Sequence, residues 1–138
     1  MSIKMRVFYH PNKSKLLNVA NFIKNEYELS YNAVDVIPPA YSCDKERIVI
    51  LVLSIKDEPA NELRLFCQQL NKQMSNNVAL IVNGKHSSAE AVKSTLKEAG
   101  TNVIDDVLFI KCGLFGKVSD EEKASISAWL KNVVSSLQ

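Results

Sequence analysis

Hydrophobic positions along the chain follow two different spacings. Residues 48–53 (IVILVL) and 78–82 (VALIV) are unbroken aliphatic runs, too short for a helix that is apolar all round. They read as strands covered on both faces, the mark of a parallel sheet. Residues 5–9 (MRVFY) form a third β-rich run, stopped at once by His10, Pro11 and Asn12, which favour turns. Residues 31–37 (YNAVDVI) alternate in part and run into Pro38 and Pro39, which fits an edge strand because proline would break an interior ladder. Residues 107–110 (VLFI), with a start as early as Val103, predict the last strand.

Between these runs the period is helical. Leu16, Leu17, Ala20, Ile23 and Tyr27 predict an amphipathic helix over 15–27 with Ser14 as its cap. Leu63, Phe66, Cys67 and Leu70 predict a second helix, with Pro59 in its first turn. Ser88 as cap, then residues 89–99 (AEAVKSTLKEA), then Gly100 as stop, predict a third. The last begins at Ser119, with Glu122 three residues on completing a capping box, and buries Ile126, Trp129, Leu130 and Val133. Strand and helix alternate, apart from an irregular stretch over residues 38–45. Such alternation predicts an α/β fold: a three-layer, doubly wound, five-stranded parallel sheet with helices on both faces, because each crossover must be right-handed.

Composition agrees with a single domain over residues 1–138. The chain of 138 residues is 46% hydrophobic and 23% charged, and a chain of that length buries about 70% of the surface its unfolded form exposes. The charges, 17 basic against 15 acidic, leave +2, and the basic residues are scattered among acids. That pattern excludes nucleic acid as an expected partner, since readers of nucleic acid gather Lys and Arg on one face. Cys43, Cys67 and Cys112 are odd in number and widely separated, so neither a metal knuckle nor a disulfide framework is indicated, and reduced thiols are expected. No apolar run reaches the roughly 20 residues of a membrane span, and the start MSIKMRVFYHPNK lacks a signal-peptide core. A soluble cytoplasmic protein without membrane contact is the expectation.

In open α/β sheets ligands bind beyond the carboxyl ends of the strands, where strand order reverses. That rule selects the loops over residues 10–15, 54–59, 83–88 and 111–117. The first, HPNKSK, opens a helix whose free backbone N–H groups and positive dipole end suit a phosphate. Lys13 and Lys15 add charge there, and Asn12 and Ser14 add hydrogen-bonding side chains. The plainer reading is that Ser14 only caps the helix and the lysines are solvated. His10 and His86, the two histidines, both fall in these loops. Cys112, at the mouth of the last strand, is either a reactive thiol or a small buried apolar residue, the second being the commoner role.

The order of elements, the runs IVILVL and VALIV, and the ending VLFIKCGLFGKVSDEEKASISAWL resemble the flavodoxin-like family over nearly the whole chain. The resemblance implies strand order 2-1-3-4-5 and flavin mononucleotide (FMN) at the carboxyl edge, its phosphate in the loop after the first strand. That loop in flavodoxins has the form aromatic-S-x-x-T-G-N-T-x-x-x-A, where residues 9–20 here read YHPNKSKLLNVA. The family's hydroxyls and glycine are reduced to Ser14, with Asn12, Lys13 and Lys15 as substitutes. Carried onto this chain, the resemblance implies cofactor contacts at His10, at Asn12, Lys13, Ser14 and Lys15 for the phosphate, and at Ser54, Ile55, Lys56, Asn83, Gly84, Lys85 and His86 for the ring. It implies electron transfer or a small oxidoreductase activity with a redox protein partner. A flavin-free binding or regulatory module on the same scaffold is the alternative.

Overall fold

Both aliphatic runs lie at the centre of one parallel sheet. The computed structural model describes residues 3–113 and 116–137. Its elements, in chain order, are β1 (Met5–His10), α1 (Ser14–Glu26), β2 (Val34–Val36), β3 (Glu46–Ser54), α2 (Asn61–Gln69), β4 (Ser75–Asn83), α3 (His86–Ala99), β5 (Asn102–Val103), β6 (Leu108–Phe109) and α4 (Asp120–Ser135). The strands run in the order β2-β1-β3-β4, and β5 and β6 both pair with β4 at its far side. Every pairing is parallel. The short β2 is an edge strand, as Pro38 and Pro39 require.

Two cores, one on each face, explain why β3 and β4 carry no polar alternation. Val49, Leu51 and Leu53 of β3 and Leu80 and Val82 of β4 pack towards Leu63 and Cys67 of α2 and Ala89, Val92 and Leu96 of α3. Ile48, Ile50 and Val52, with Ala79 and Ile81, pack towards Leu16, Val19 and Ile23 of α1 and Ile126, Trp129 and Leu130 of α4. Ile50, Val52, Ala79 and Ile81 are all 0% exposed. Side chains of period 2 therefore find an apolar partner in both directions.

Four expectations need correcting. The last strand is broken in two: from Val103 to Leu108 the chain takes five steps where β4 takes three, from Val78 to Ile81. The two extra residues loop outward, where the Asp106 carbonyl accepts from Trp129 Nε1 at 2.8 Å and the Asp105 carbonyl accepts from Lys93 Nζ at 3.3 Å. Ser14 is the first residue of α1, not its cap, which is Lys13 without a side-chain bond. Pro59 precedes the Ala60 cap of α2 and is outside the helix. Ser88 lies within α3, which starts at His86, and its hydroxyl donates instead to the Asp57 carbonyl at 2.9 Å. The capping box of α4 and the left-handed Gly100 that ends α3 (φ 108°) are as expected.

Candidate functional site

All the expected site residues gather at the carboxyl edge, but they do not form one open crevice. Strand order reverses at β1, whose following helix lies on one face while α2, after β3, lies on the other. His10 ends β1 at that switch point, and its Nε2 pairs with Glu62 Oε2 of α2 at 3.3 Å. A cis His10–Pro11 peptide follows, and the Lys13 amide donates back to the Pro11 carbonyl at 2.9 Å. Asn12, Lys13 and Ser14 are exposed along this turn.

Lys15 is different. It is 5% exposed, and its Nζ donates to both oxygens of Glu122, at 2.8 and 2.7 Å, and to the Lys117 carbonyl at 2.9 Å. The same carboxylate accepts from the Ser119 backbone amide at 3.0 Å, so one side chain joins the cap of α4 to the first turn of α1. The Lys15 ammonium, and then the Ser119 amide, hold the Glu122 carboxyl below its ordinary 4.5. Gly116 lies against the same turn. With φ at 68°, it adopts a conformation that disfavours side chains, and a Cβ there would be 2.9 Å from Ser14 Cβ. Its carbonyl accepts from Asn18 Nδ2 at 2.8 Å. Leu114 and Phe115, in the expected site loop over 111–117, lie outside the described residues.

The loops after β3 and β4 are tied to each other. Asn83 Nδ2 donates to Ser54 Oγ at 3.1 Å, and the Ile55 amide donates to the Asn83 carbonyl at 2.9 Å. A Cβ on Gly84 would lie 2.6 Å from the Ile55 carbonyl oxygen, so glycine is needed for the close approach. Lys85 pairs with Asp57 at 3.5 Å. The Ile55 side chain is a core residue, 4% exposed, leaving only its backbone at the edge, while Lys56 and His86 are exposed.

Sequence reasoning missed the neighbouring cavity. It measures 690 Å³ and is lined by Asn83, Gly84 and His86, by Leu108, Phe109, Ile110 and Lys111, and by Glu121, Glu122, Ser125 and Ile126 at the start of α4. The His86 and Phe109 rings meet with centroids 4.3 Å apart and planes at 44°. Run lengths could not reveal this, because the two-residue bulge before β6 sets which residues reach the edge. Among the described residues no group of three or more His, Cys, Asp or Glu side chains is placed to hold a metal ion. No helix among them is long and apolar enough to cross a membrane.

No family model matches the chain, and no curated protein matches it. Solved structures do. A short-chain flavodoxin associated with a bacterial microcompartment superposes with a TM-score of 0.67 at 13% identity, over 100% of both chains. The chain has the flavodoxin-like fold. Oxidised flavodoxin 1 from Bacillus cereus gives 0.66 at 13% identity, covering 97% of this chain and 98% of its own. A flavodoxin from the domain Archaea gives 0.64 at 13%, covering 96% and 97%. In this flavodoxin-like chain the order β2-β1-β3-β4 leaves the turn over residues 10–14 beside the reversal, which is where such sheets expose backbone N–H groups.

Proposed function

We propose that this flavodoxin-like protein binds FMN at its carboxyl edge and serves in electron transfer or as a small oxidoreductase with a redox partner. The reading is supported by one observation above all: the likeness to solved flavodoxins covers 97–100% of this chain and 98–100% of theirs. Fold alone does not transfer a cofactor, so the reading depends on the residues at the edge. The phosphate end fits at the exposed turn, where Asn12, Lys13 and Ser14 precede and open α1 and Lys13 brings an exposed charge. Lys15 fits less well, because its ammonium is held by Glu122. When bound, FMN would supply the one- and two-electron redox chemistry; the protein's part is to hold the phosphate on the α1 turn and to exclude water from the ring with the joined loops over residues 54–57 and 83–86.

A specific observation favours a second reading, a flavin-free binding module. The loops that would part around the ring are bonded together, and among the described residues they carry no aromatic side chain beyond His86. Titrating FMN into the purified protein and following quenching of flavin fluorescence separates the two. FMN binding is expected to saturate at tens of micromolar, and Lys13→Ala to weaken it roughly tenfold or more, the value of one charge-assisted contact. Absence of saturable binding leaves the flavin-free module as the function. Unchanged affinity in Lys13→Ala rejects the phosphate assignment.

A further inference from the structure

A second cavity lies at the opposite edge of the sheet, where the amino ends of β1 and β3 meet the chain that leaves α1. Its volume of 570 Å³ falls within the range of small-molecule sites, about 300–1,000 Å³. Glu46, the first residue of β3, lines it and is only 5% exposed. Lys4 and Arg6 line it too, but both are turned to backbone: Lys4 Nζ donates to the Asp44 carbonyl, and Arg6 Nη1 to the carbonyls of Tyr41 and Ser42 at 2.8 and 3.2 Å. Among the described residues no ion pair joins either cation to Glu46 or to another carboxylate. Burial pushes the Glu46 carboxyl above its ordinary 4.5, against the pull of Lys4, Arg6 and the Asp44 amide. A buried carboxylate is costly until a cation meets it. Lys4 and Arg6 in turn have more N–H donors than those carbonyls use, so one cavity offers charged acceptors and charged donors together. Glu28 and Asp44, exposed at its rim, give the lining three acids against two bases, which disfavours a bare anion. Apolar surface stands beside the charges, in Tyr27 and Leu29 at the margin of the α1–α4 core and in Tyr41, which is 69% exposed.

We propose that this cavity binds an α-amino acid with a large apolar side chain, its ammonium on Glu46, its carboxylate on Lys4 and Arg6, and its side chain against Tyr27, Leu29 and Tyr41. A zwitterion answers both signs of charge at once, and charge-assisted hydrogen bonds are the strong ones. An amine alone would leave the two cations with carbonyls only, and a carboxylate alone would leave Glu46 without a cation. The site lies at the amino ends of the strands and shares no residue with the edge proposed for FMN. It goes beyond the FMN reading and stands or falls separately from it.

The test uses the full chain, isothermal titration calorimetry and three probes: L-phenylalanine, phenethylamine, which lacks the carboxylate, and 3-phenylpropionate, which lacks the amine. L-Phenylalanine is expected to bind saturably, and each of the other two to bind about tenfold more weakly or worse, the value of one charge-assisted contact. Glu46→Gln, which keeps the shape and removes the charge, should abolish the preference for L-phenylalanine over 3-phenylpropionate. Arg6→Gln should instead reduce the preference over phenethylamine. Lys4→Met, at an exposed position, should act as Arg6→Gln does, and it carries the test if either of the others fails to fold. Lys123→Ala, in the first turns of α4 at the other edge, should leave all three affinities unchanged. Absence of saturable L-phenylalanine binding at millimolar concentration overturns the proposal, as do equal affinities for the three probes or preferences that survive in the charge variants. None of these outcomes touches the FMN titration, which reads the opposite edge, so failure of one reading leaves the other in place.

Discussion

Lys15 shows how a single side chain changes meaning between sequence and structure. In the sequence it is one of two lysines beside a helix start, equally suited to phosphate or to water. In the fold its ammonium reaches 107 residues along the chain to Glu122, and both groups gain a partner. A carboxyl held below its ordinary 4.5 contributes stability that is complete above that value and is lost as pH falls through the lowered folded value. Glu122→Gln is therefore expected to lower stability at pH 7 by about 1–3 kcal/mol, and the gap to the parent protein should close on acidification below 4.5. Chemical denaturation at a series of pH values measures this; a gap that stays constant down to about pH 3 contradicts it. The cysteines divide by burial in the same way. Desolvation pushes the Cys67 thiol up to about 12 and, opposed in part by Arg6, that of Cys43 up to about 11, whereas Cys112 is partly exposed. A thiol reagent at pH 8 should modify Cys112 first in the folded protein and reach Cys43 and Cys67 only on unfolding, since the thiolate is the reactive form.

Among the elements, helix starts were the hardest to read. Ser14 and Ser88 have the right side chain for a cap, but both are already inside their helices, and a lone serine carries no information about where the first turn closes. The start of α4 was legible because Ser119 and Glu122 bond reciprocally, which requires two residues at a fixed spacing. The loops after β3 and β4 depend on an element-level contact of the same strictness. With the Ile55 carbonyl 2.6 Å from where a Cβ would be, Gly84→Ala cannot be relieved by turning a side chain. It is expected to cost about 1–3 kcal/mol, visible as a lower denaturation midpoint, and an unchanged midpoint would show that the loops can separate freely.

For the whole molecule, the decisive feature is that β3 and β4 have no outside. Val49 and Leu80 face the α2–α3 core, and their neighbours in sequence face the α1–α4 core. Aspartate at either position would be a buried carboxylate without a partner, at a cost of several kcal/mol against a total stability of about 5–15. Val49→Asp and Leu80→Asp should fail to give a cooperative thermal transition followed by circular dichroism, and a well-folded variant of either kind would contradict the two-faced burial.

Local pattern determined the parts of this protein that depend on near neighbours: aliphatic runs that demand cover on both faces, helical spacing, the α4 cap and the glycine that ends α3. Those signals were enough for the layered α/β architecture, because periods of 2 and 3.6 have few ways of burying their apolar sides. Tertiary structure alone decided the rest. The bulge that splits the last strand depends on where Lys93 and Trp129 find backbone carbonyls. The withdrawal of Lys15 from the phosphate turn depends on Glu122, and the cavity depends on His86 meeting Phe109 across two elements. Each is a contact between residues far apart in the chain, and composition and spacing carry no record of such distances.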